Sequence, residues 1–311
     1  MTSLGLGCAQ LGNLHIEVTD EDATAIVDAA WAAGVRFFDT APHYGLGLSE
    51  RRLGAALAGR PRGECTVSSK VGRVLEPVDG SGRDTDFLVP ATHERVWDFS
   101  RAGVRRSVEE SLARLNLDRL DVALIHDAQH RADEAIGEAF PALVELRAEG
   151  VVGAIGTGSA DVPYLTRFVR ECEPDTVLVA GRYTLLEQPA LAELLPACEA
   201  AGTSVVNGGV FNSGLLAHER PHTGLTYDYR AAAPDLVERA AAIADVCARH
   251  GTTLPAAAIA FAAGHPAVST VLVGADSADQ VRRNAELFAS APPPSVWSAL
   301  VEAGLIATVP A

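Results

Sequence analysis

The sequence predicts a closed barrel of eight parallel strands, each followed by a helix, in a single domain over residues 1–311. Short Val-, Ile- and Leu-rich runs alternate with alanine-rich helical stretches along the whole chain, and no linker or low-complexity segment interrupts them. Eight such alternations suit a (β/α)8 TIM barrel, because eight parallel strands close without an edge and right-handed crossovers put every helix outside. An open doubly wound sheet is the alternative. It would need a GxGxxG turn after its first strand, and GLGCAQLG at residues 5–12 lacks that spacing.

Caps and helix breakers delimit the first elements. A helix is predicted to begin after Thr19 and Asp20, whose side chains can accept hydrogen bonds from its free amides, and to end at Gly34. The next strand stops at Pro42, since proline has no amide to continue a ladder. The following helix is predicted to be capped by Ser49.

The other elements follow from β-branched runs, which mark strands, and from helical spacing of apolar residues. The predicted strands span residues 4–8, 35–39, 64–70, 120–127, 151–155, 176–180, 203–206 and 269–273. The predicted helices span residues 21–33, 49–58, 102–115, 132–148, 162–171, 189–200, 234–250, 255–263 and 277–287, with a last helix after the Pro-rich 292–294. Long irregular connections are expected at 72–99 and 207–233, and a connection of this length is often a functional lid.

The composition narrows the class of protein. Forty acidic against 25 basic side chains give a net charge of −15, which argues against a nucleic-acid or anionic-membrane partner. No apolar run reaches about 18 residues and no signal-peptide pattern is seen, so a soluble cytoplasmic protein is expected. The five cysteines are widely spaced without a CxxC pair, which predicts reduced thiols and no zinc site. We expect a small-molecule substrate and a monomer or weak homo-oligomer.

Polar side chains are predicted at the carboxyl ends of three neighbouring strands. Asp39, Lys70 and His126 end strands two, three and four, and Tyr44 follows Asp39 in a glycine-containing loop. In a barrel these ends meet on one face. Each residue alone has an ordinary explanation as a turn cap, an edge charge or a structural histidine. Together they are much harder to explain by chance.

The four side chains predict a proton-transfer site. A phenol has a pKa of about 10 in solution. The ammonium of Lys70 would stabilise the phenolate of Tyr44, and Asp39 would hold that ammonium. His126 could hydrogen-bond the reacting oxygen. A metal-dependent hydrolase would instead need HxH or clustered carboxylate ligands at strand ends, and the sequence offers none.

The motifs FFDTAPHYG, VSSKVGR and VALIHD match, residue for residue, the Asp, Tyr, Lys and His tetrad of the aldo-keto reductase family, which the chain resembles over nearly its whole length. DTAPHYGLGLSE, WDFSRAGVRRSVEESLARL, IHDAQH and GRYTLLEQ most resemble the branch with L-fucose dehydrogenase, D-threo-aldose 1-dehydrogenase and pyridoxal 4-dehydrogenase. The resemblance implies hydride transfer to NAD from the anomeric carbon of an aldose, giving a lactone. The alternatives are an NADPH-dependent aldehyde or ketone reductase, a pyridoxal 4-dehydrogenase, and a non-catalytic nucleotide-binding regulatory subunit.

The resemblance also implies a dinucleotide across the barrel mouth, near VGADSADQVRRN. Gly274 would allow close backbone approach, and the helix beginning near Ser277 would offer amides to the pyrophosphate. An ordinary glycine-containing strand–helix turn is the other explanation. Gln280 and Asn284 match family positions at the adenine and ribose end.

Cofactor choice is predicted from Asp276, which stands where NADPH-preferring relatives carry Lys, Arg or Ser. Its charge would repel a 2′-phosphate, and its oxygens could accept from ribose hydroxyls, so NAD is predicted. NADP is the alternative, because Arg282 or Arg283 could reach a phosphate.

The nicotinamide and substrate contacts depart from the family pattern. Where the family clamps the nicotinamide with Asn and Gln and stacks a Tyr on it, this chain reads GTGSAD, VAGRYT and VVNGGVFN. The candidate nicotinamide contacts are Ser159, Arg182, Tyr183 and Asn207. The candidate substrate contacts are His43 and Trp97, with Tyr227 and Tyr229 as weaker ones, and Trp97 could equally be a loop-packing aromatic.

Overall fold

Eight parallel strands close into a barrel in the computed structural model, which describes residues 4–310. The barrel strands are β1 (Leu4–Gly7), β2 (Phe37–Asp39), β3 (Thr66–Val71), β6 (Leu120–His126), β7 (Val152–Ser159), β8 (Thr176–Ala180), β9 (Ser204–Gly208) and β12 (Val268–Gly274). Each of them pairs with the next barrel strand along the chain, and β12 pairs with β1 to close the ring. The predicted barrel is confirmed.

Helices surround the barrel in the order that the sequence predicts. They are α1 (Asp20–Ala32), α2 (Leu48–Leu57), α3 (Arg101–Leu115), α4 (Ala132–Glu134), α5 (Phe140–Ala148), α6 (Val162–Cys172), α7 (Leu194–Ala201), α8 (Pro234–Arg249), α9 (Leu254–Ala263), α10 (Ala278–Ala289) and α11 (Pro294–Glu302). The side chain of Thr19 caps α1 by accepting from the amide of Asp22. A π-helical turn, Ala135–Ala139, joins α4 to α5 where one continuous helix is predicted.

The helix α2 begins differently from the prediction. Its N-cap is Gly47, and Ser49 lies inside the helix, where its hydroxyl donates to the carbonyl of Cys8. Glu50 is fully buried and accepts hydrogen bonds from Ser69 and Arg114. These two residues therefore fasten α2 to the barrel strands and to α3.

Two apolar layers hold the strands in place. The barrel interior is filled by large side chains from alternate positions of the strands: Phe37, Val122, Leu124, Leu178, Val206 and Leu272. A larger apolar cluster lies between the outer faces of the strands and the helices. Burying each such side chain stabilises the fold by about 1.5–3 kcal/mol, so the barrel is a rigid support for groups at its rim.

The two long connections are more ordered than the sequence predicts. Residues 72–99 contain an antiparallel hairpin of β4 (Arg73–Pro77) and β5 (His93–Trp97). Residues 207–233 contain a second hairpin of β10 (Thr226–Tyr227) and β11 (Arg230–Ala231). Gly72 has φ of 99°, and a Cβ there would lie 2.3 Å from the ring of Phe99, so only glycine lets the chain leave β3 in this direction.

Within residues 4–310 no helix has both the length and the apolarity needed to cross a bilayer. All five cysteines are free thiols.

Candidate active site

Lys70 lies at the centre of a hydrogen-bonded array at the carboxyl end of the strands. Its Nζ donates to Asp39 Oδ2 at 2.6 Å, to the carbonyl of Thr40 at 2.9 Å and to the hydroxyl of Tyr44 at 3.2 Å. The other carboxylate oxygen of Asp39 accepts from Ser68 at 2.9 Å. The side chains of Lys70 and Asp39 are only 2% and 3% exposed, so this ion pair is buried and fully hydrogen-bonded.

The register of the strands brings these groups together. Asp39 of β2 pairs with Ser68 of β3. Lys70 is two residues beyond Ser68 and so points to the same face, which lets both side chains reach the Asp39 carboxylate. β3 also pairs with β6, whose last residue is His126.

His126 lies edge-on to Tyr44, with 6.0 Å between the ring centroids. The candidate residue His43 lies beside both, 5.9 Å from the Tyr44 ring and 5.6 Å from the His126 ring. The structure therefore brings Asp39, Tyr44, Lys70 and His126 together with His43 in one cluster at the carboxyl ends of the strands. That they act in catalysis stays a prediction.

Charge and burial determine the protonation states. Burial works to lower the pKa of Lys70, but the Asp39 carboxylate outweighs it and the pKa lies above the usual value, so the amine is an ammonium. Burial raises the pKa of Tyr44 to about 12, although Lys70 acts to lower it. Burial, with the charges of Arg73 and Lys70, holds the pKa of His126 well below its usual range. At neutral pH the site therefore contains a neutral imidazole and a protonated phenol.

The sequence predicts that Lys70 makes the phenol of Tyr44 more acidic, and the net effect in the structure is the opposite. Lys70 acts in the expected direction, but the desolvation of Tyr44 is larger, so the phenol is less acidic than in water. The effect of burial could not be read from the sequence, because Tyr44 follows a strand end in a loop that would ordinarily be solvated.

Trp97 belongs to an aromatic stack at the base of the β4–β5 hairpin. It packs against Phe99 and His130, with ring centroids 5.7 Å and 4.7 Å away, and the guanidinium of Arg73 lies 4.4 Å above its ring. These contacts favour the packing explanation for Trp97. Tyr227 donates to Glu187, while Tyr229 is 69% exposed at the tip of the β10–β11 hairpin.

A second group of polar atoms lies where β12 meets α10. Ser277 caps α10 by accepting from the amide of Gln280 at 3.3 Å, and the Gln280 side chain accepts from the amide of Asp276 at 3.1 Å. Asn284 donates to the carbonyl of Gly274 at 3.4 Å. These residues form one continuous edge of the barrel mouth.

This edge fits the phosphate and amide groups of a dinucleotide. A Cβ on Gly274 would lie 2.6 Å from the side chain of Gln10, so glycine at this position is what lets Gln10 pack against the end of β12. Oε1 of Gln10 is buried with no hydrogen-bond partner in residues 4–310, which leaves an acceptor for a ligand. Gln10 is not among the predicted contacts, although its place directly after β1 could have indicated it.

Two predicted nicotinamide contacts are wrong. Tyr183 is 2% exposed and packs on Phe261 in the outer core, with ring centroids 5.2 Å apart. Asn207 is fully buried and donates to the carbonyls of Tyr183 and Ala262 at 2.8 and 3.0 Å. Because side chains alternate along β9 and Val206 points into the barrel, Asn207 must point outward to the helices.

The other two candidates lie at the rim. Ser159 ends β7, donates to Gln129 at 3.0 Å and accepts from the amide of Asp161. Arg182 is held by Asp228 at 2.6 Å, in the turn between β10 and β11. Their contact with a nicotinamide remains a prediction. In the described part of the chain no three His, Cys, Asp or Glu side chains are grouped to hold a metal ion.

Together, the barrel and the Asp–Tyr–Lys–His array define a barrel oxidoreductase. Residues 3–304 match the model of the aldo/keto reductase family, and the chain belongs to that family. The predicted family is thereby confirmed.

Two curated relatives fall in the predicted branch. D-threo-aldose 1-dehydrogenase of a Pseudomonas species is 49% identical over 312 residues, which cover 98% of this chain and 95% of that protein. Pyridoxal 4-dehydrogenase of Microbacterium luteolum is 35% identical, with the same coverage of 98% and 95%. Among solved structures, an aldo-keto reductase from Bacillus halodurans in its holo form superposes with a TM-score of 0.78 at 25% identity, covering 99% of this chain and 93% of that one.

Proposed function

We propose that this protein is an NAD-dependent aldose 1-dehydrogenase that oxidises the anomeric hydroxyl of a sugar to a lactone. The observation that carries the proposal is the buried array in which Lys70 bonds both Asp39 and the hydroxyl of Tyr44. Such an array holds a phenol ready to exchange one proton and contains no nucleophile. The relative named D-threo-aldose 1-dehydrogenase, at 49% identity, supports the choice of an aldose as substrate.

Each residue has a distinct part in the proposed reaction. The anomeric hydroxyl gives its proton to the phenolate oxygen of Tyr44, and the adjacent Lys70 ammonium stabilises that phenolate. The neutral imidazole of His126 hydrogen-bonds the reacting oxygen and orients it. When bound, a nicotinamide dinucleotide supplies the acceptor for the hydride that leaves the anomeric carbon. In reduction Tyr44 returns the proton to the carbonyl oxygen.

The groups proposed to hold the dinucleotide lie along the edge between β12 and α10. The free amides at the start of α10 would bind the pyrophosphate. Gln10 would accept from an amide of the ligand, while Ser159 and Arg182 would face the nicotinamide end. The proposed contacts on β12 and α10 are Gly274, Asp276, Ser277, Gln280 and Asn284.

A substrate panel tests the proposal. We would follow the absorbance of the reduced cofactor with L-fucose, D-arabinose, L-galactose, D-glucose, pyridoxal and benzaldehyde, with NAD and with NADP. Oxidation of at least one aldose with NAD, at a kcat/KM above that for pyridoxal, is expected. Turnover of pyridoxal alone would favour the second candidate, which the 35% identical pyridoxal 4-dehydrogenase supports. Tight cofactor binding without turnover on any compound would contradict both.

Replacing Asp276 by serine should move the cofactor preference towards NADP. The carboxylate lies beside the start of α10, where its charge would repel a 2′-phosphate, and its removal should change the ratio of kcat/KM for NAD and NADP by about ten-fold. The ratio is measured with a single aldose at saturating concentration. Asp235→Ser, the same change in the first turn of α8, is the control and should leave the ratio unchanged. A preference for NADP in the wild-type protein would contradict the assignment of Asp276.

The two directions of the reaction should depend differently on pH. Burial raises the pKa of Tyr44 to about 12, so the phenolate needed for oxidation is scarce at neutral pH. At any pH below this pKa, the fraction of phenolate rises about ten-fold for each unit by which the pH is raised. Oxidation should therefore accelerate from about pH 6 to pH 9, whereas reduction, which needs the protonated phenol, should stay nearly constant. Profiles of kcat/KM in both directions measure this. A fall in oxidation above neutral pH would argue against Tyr44 as the base.

A further inference from the structure

An ion pair next to the predicted tetrad makes no direct contact with the reacting groups in the proposed reaction. Arg73 Nη2 donates to Asp127 Oδ2 at 2.5 Å, and the side chains are 15% and 34% exposed. Asp127 follows His126 directly, and the same carboxylate oxygen lies 3.5 Å from Nε2 of His126. The pair is therefore adjacent to the imidazole that would orient the reacting oxygen.

The backbone at Asp127 is held in an unfavourable conformation that places its carboxylate here. Its φ is 48°, in the left-handed region that non-glycine residues seldom adopt. The amide of Asp127 donates to the carbonyl of Gly158 at 2.9 Å, which fixes the turn immediately after β6. Backbone conformations of this kind persist where the surrounding structure imposes them, often at binding sites.

Arg73 is fixed from the other side. It is the first residue of β4 after the Gly72 bend, it pairs with Trp97 across the hairpin, and its guanidinium lies over the Trp97 ring. Its Nε is buried, with no acceptor among residues 4–310. A buried donor without an acceptor is unfavourable, so the pair is poorly optimised for a purely structural role.

The pair also has unused hydrogen-bonding capacity on the carboxylate. The described contacts of Asp127 with Arg73 and His126 both involve Oδ2, while the side chain remains one-third exposed. A carboxylate accepts a hydrogen bond from one hydroxyl, and the guanidinium beside it donates to the neighbouring hydroxyl, which is the pattern that vicinal sugar hydroxyls match. A simple aldehyde or ketone offers no such groups.

We propose that the Arg73–Asp127 pair binds the hydroxyl on the carbon next to the anomeric carbon, and so gives the site its preference for aldoses. This inference rests on the proposed function, because it takes the reacting oxygen to lie at Tyr44 and His126. The hydroxyl on the carbon next to the reacting carbon would then lie beside His126, close to the carboxylate of Asp127. A site built to bond a hydroxyl discriminates against an analogue that lacks it, because its own polar groups are then left unpaired.

The test compares an aldose with its 2-deoxy counterpart. We would measure kcat/KM with NAD for L-fucose and 2-deoxy-L-fucose, and for D-arabinose and 2-deoxy-D-arabinose. The wild-type protein should favour the 2-hydroxyl sugar by about ten-fold or more, since the site is only partly buried. In Asp127→Asn and in Arg73→Gln this preference should fall to three-fold or less, mainly through a higher KM for the 2-hydroxyl sugar.

The control changes a carboxylate at the other end of the barrel. Asp175→Asn removes the carboxylate that pairs with Arg147. The side chain of Asp175 is exposed to a similar extent as that of Asp127, and it lies just before β8, at the opposite end of the barrel. This variant should keep the wild-type preference for the 2-hydroxyl sugar. Equal rates for both sugars in the wild-type protein would overturn the inference without any variant. An undiminished preference in Asp127→Asn and Arg73→Gln would overturn it as well. Absence of aldose turnover in the wild-type protein would instead refute the proposed function.

Discussion

Tyr44→Phe is expected to lower kcat/KM for aldose oxidation by about 10²–10⁴-fold, the usual contribution of a positioned general acid or base. The hydroxyl of Tyr44 accepts from Lys70 at 3.2 Å, and the ring packs near Phe87 and His126. Phenylalanine keeps the ring contacts and removes only the group that exchanges the proton. Steady-state rates, together with NAD binding followed by fluorescence, should show lost turnover with unchanged affinity.

Tyr183→Phe is the matched control for this substitution. Its ring lies in the outer core against Phe261, away from the array, so activity should stay within about two-fold of the wild-type value. Loss of activity in Tyr183→Phe would reinstate Tyr183 as a nicotinamide contact. Near-normal activity in Tyr44→Phe would remove the chemical basis of the proposed function.

Lys70→Met should both abolish turnover and destabilise the protein by about 3–5 kcal/mol. Lys70 and Asp39 form a buried pair, and removal of the ammonium leaves the carboxylate with Ser68 as its remaining side-chain partner. Equilibrium unfolding in denaturant measures the loss of stability. Dehydrogenase assays are made on the fraction that remains folded.

The double variant Asp39→Asn/Lys70→Met separates the two effects. With no charge left to bury, it should regain most of the stability while remaining inactive, so the interaction energy between the two sites should be large. Additive losses of stability would mean that Asp39 and Lys70 do not form the buried pair. Recovery of activity in the double variant would show that the ammonium is not needed for proton transfer.

Much of the fold follows from local sequence patterns. The eight barrel strands are recognisable because each is a short apolar run, and most of their ends lie within one or two residues of the prediction. β7 continues to Ser159, four residues beyond its predicted end at 155. The stretch GTGS lacks an apolar pattern, so the sequence does not mark it as a strand, but its backbone pairs with β6 and β8. The two hairpins outside the barrel depend on pairing across a connection, which local periodicity does not record.

Some residues of the candidate site can likewise be predicted from the sequence, and others cannot. Asp39, Lys70 and His126 can be found because the carboxyl end of a strand is a topological position that the sequence reveals. The direction of the Asn207 side chain is harder to predict, because it depends on which face of β9 points into the barrel, and a shift of one residue reverses that face.

The Arg73–Asp127 pair was not predicted, because its members are 54 positions apart and meet only through the bend at Gly72 and the left-handed turn at Asp127. The motifs VSSKVGR and IHD contain both residues, but neither motif indicates that they are partners.

The contacts of Lys70 have a consequence for the isotopic behaviour of the enzyme. All three ammonium protons are directed at fixed oxygens, those of Asp39, Thr40 and Tyr44, so none is available for a relay. Apart from the carbon-bound hydride, which does not exchange with water, the only hydrogen in transit is then the one shared between the phenol and the sugar oxygen. In mixtures of light and heavy water the catalytic rate should fall in a straight line with the deuterium fraction, and curvature would reveal a chain of several moving hydrogens.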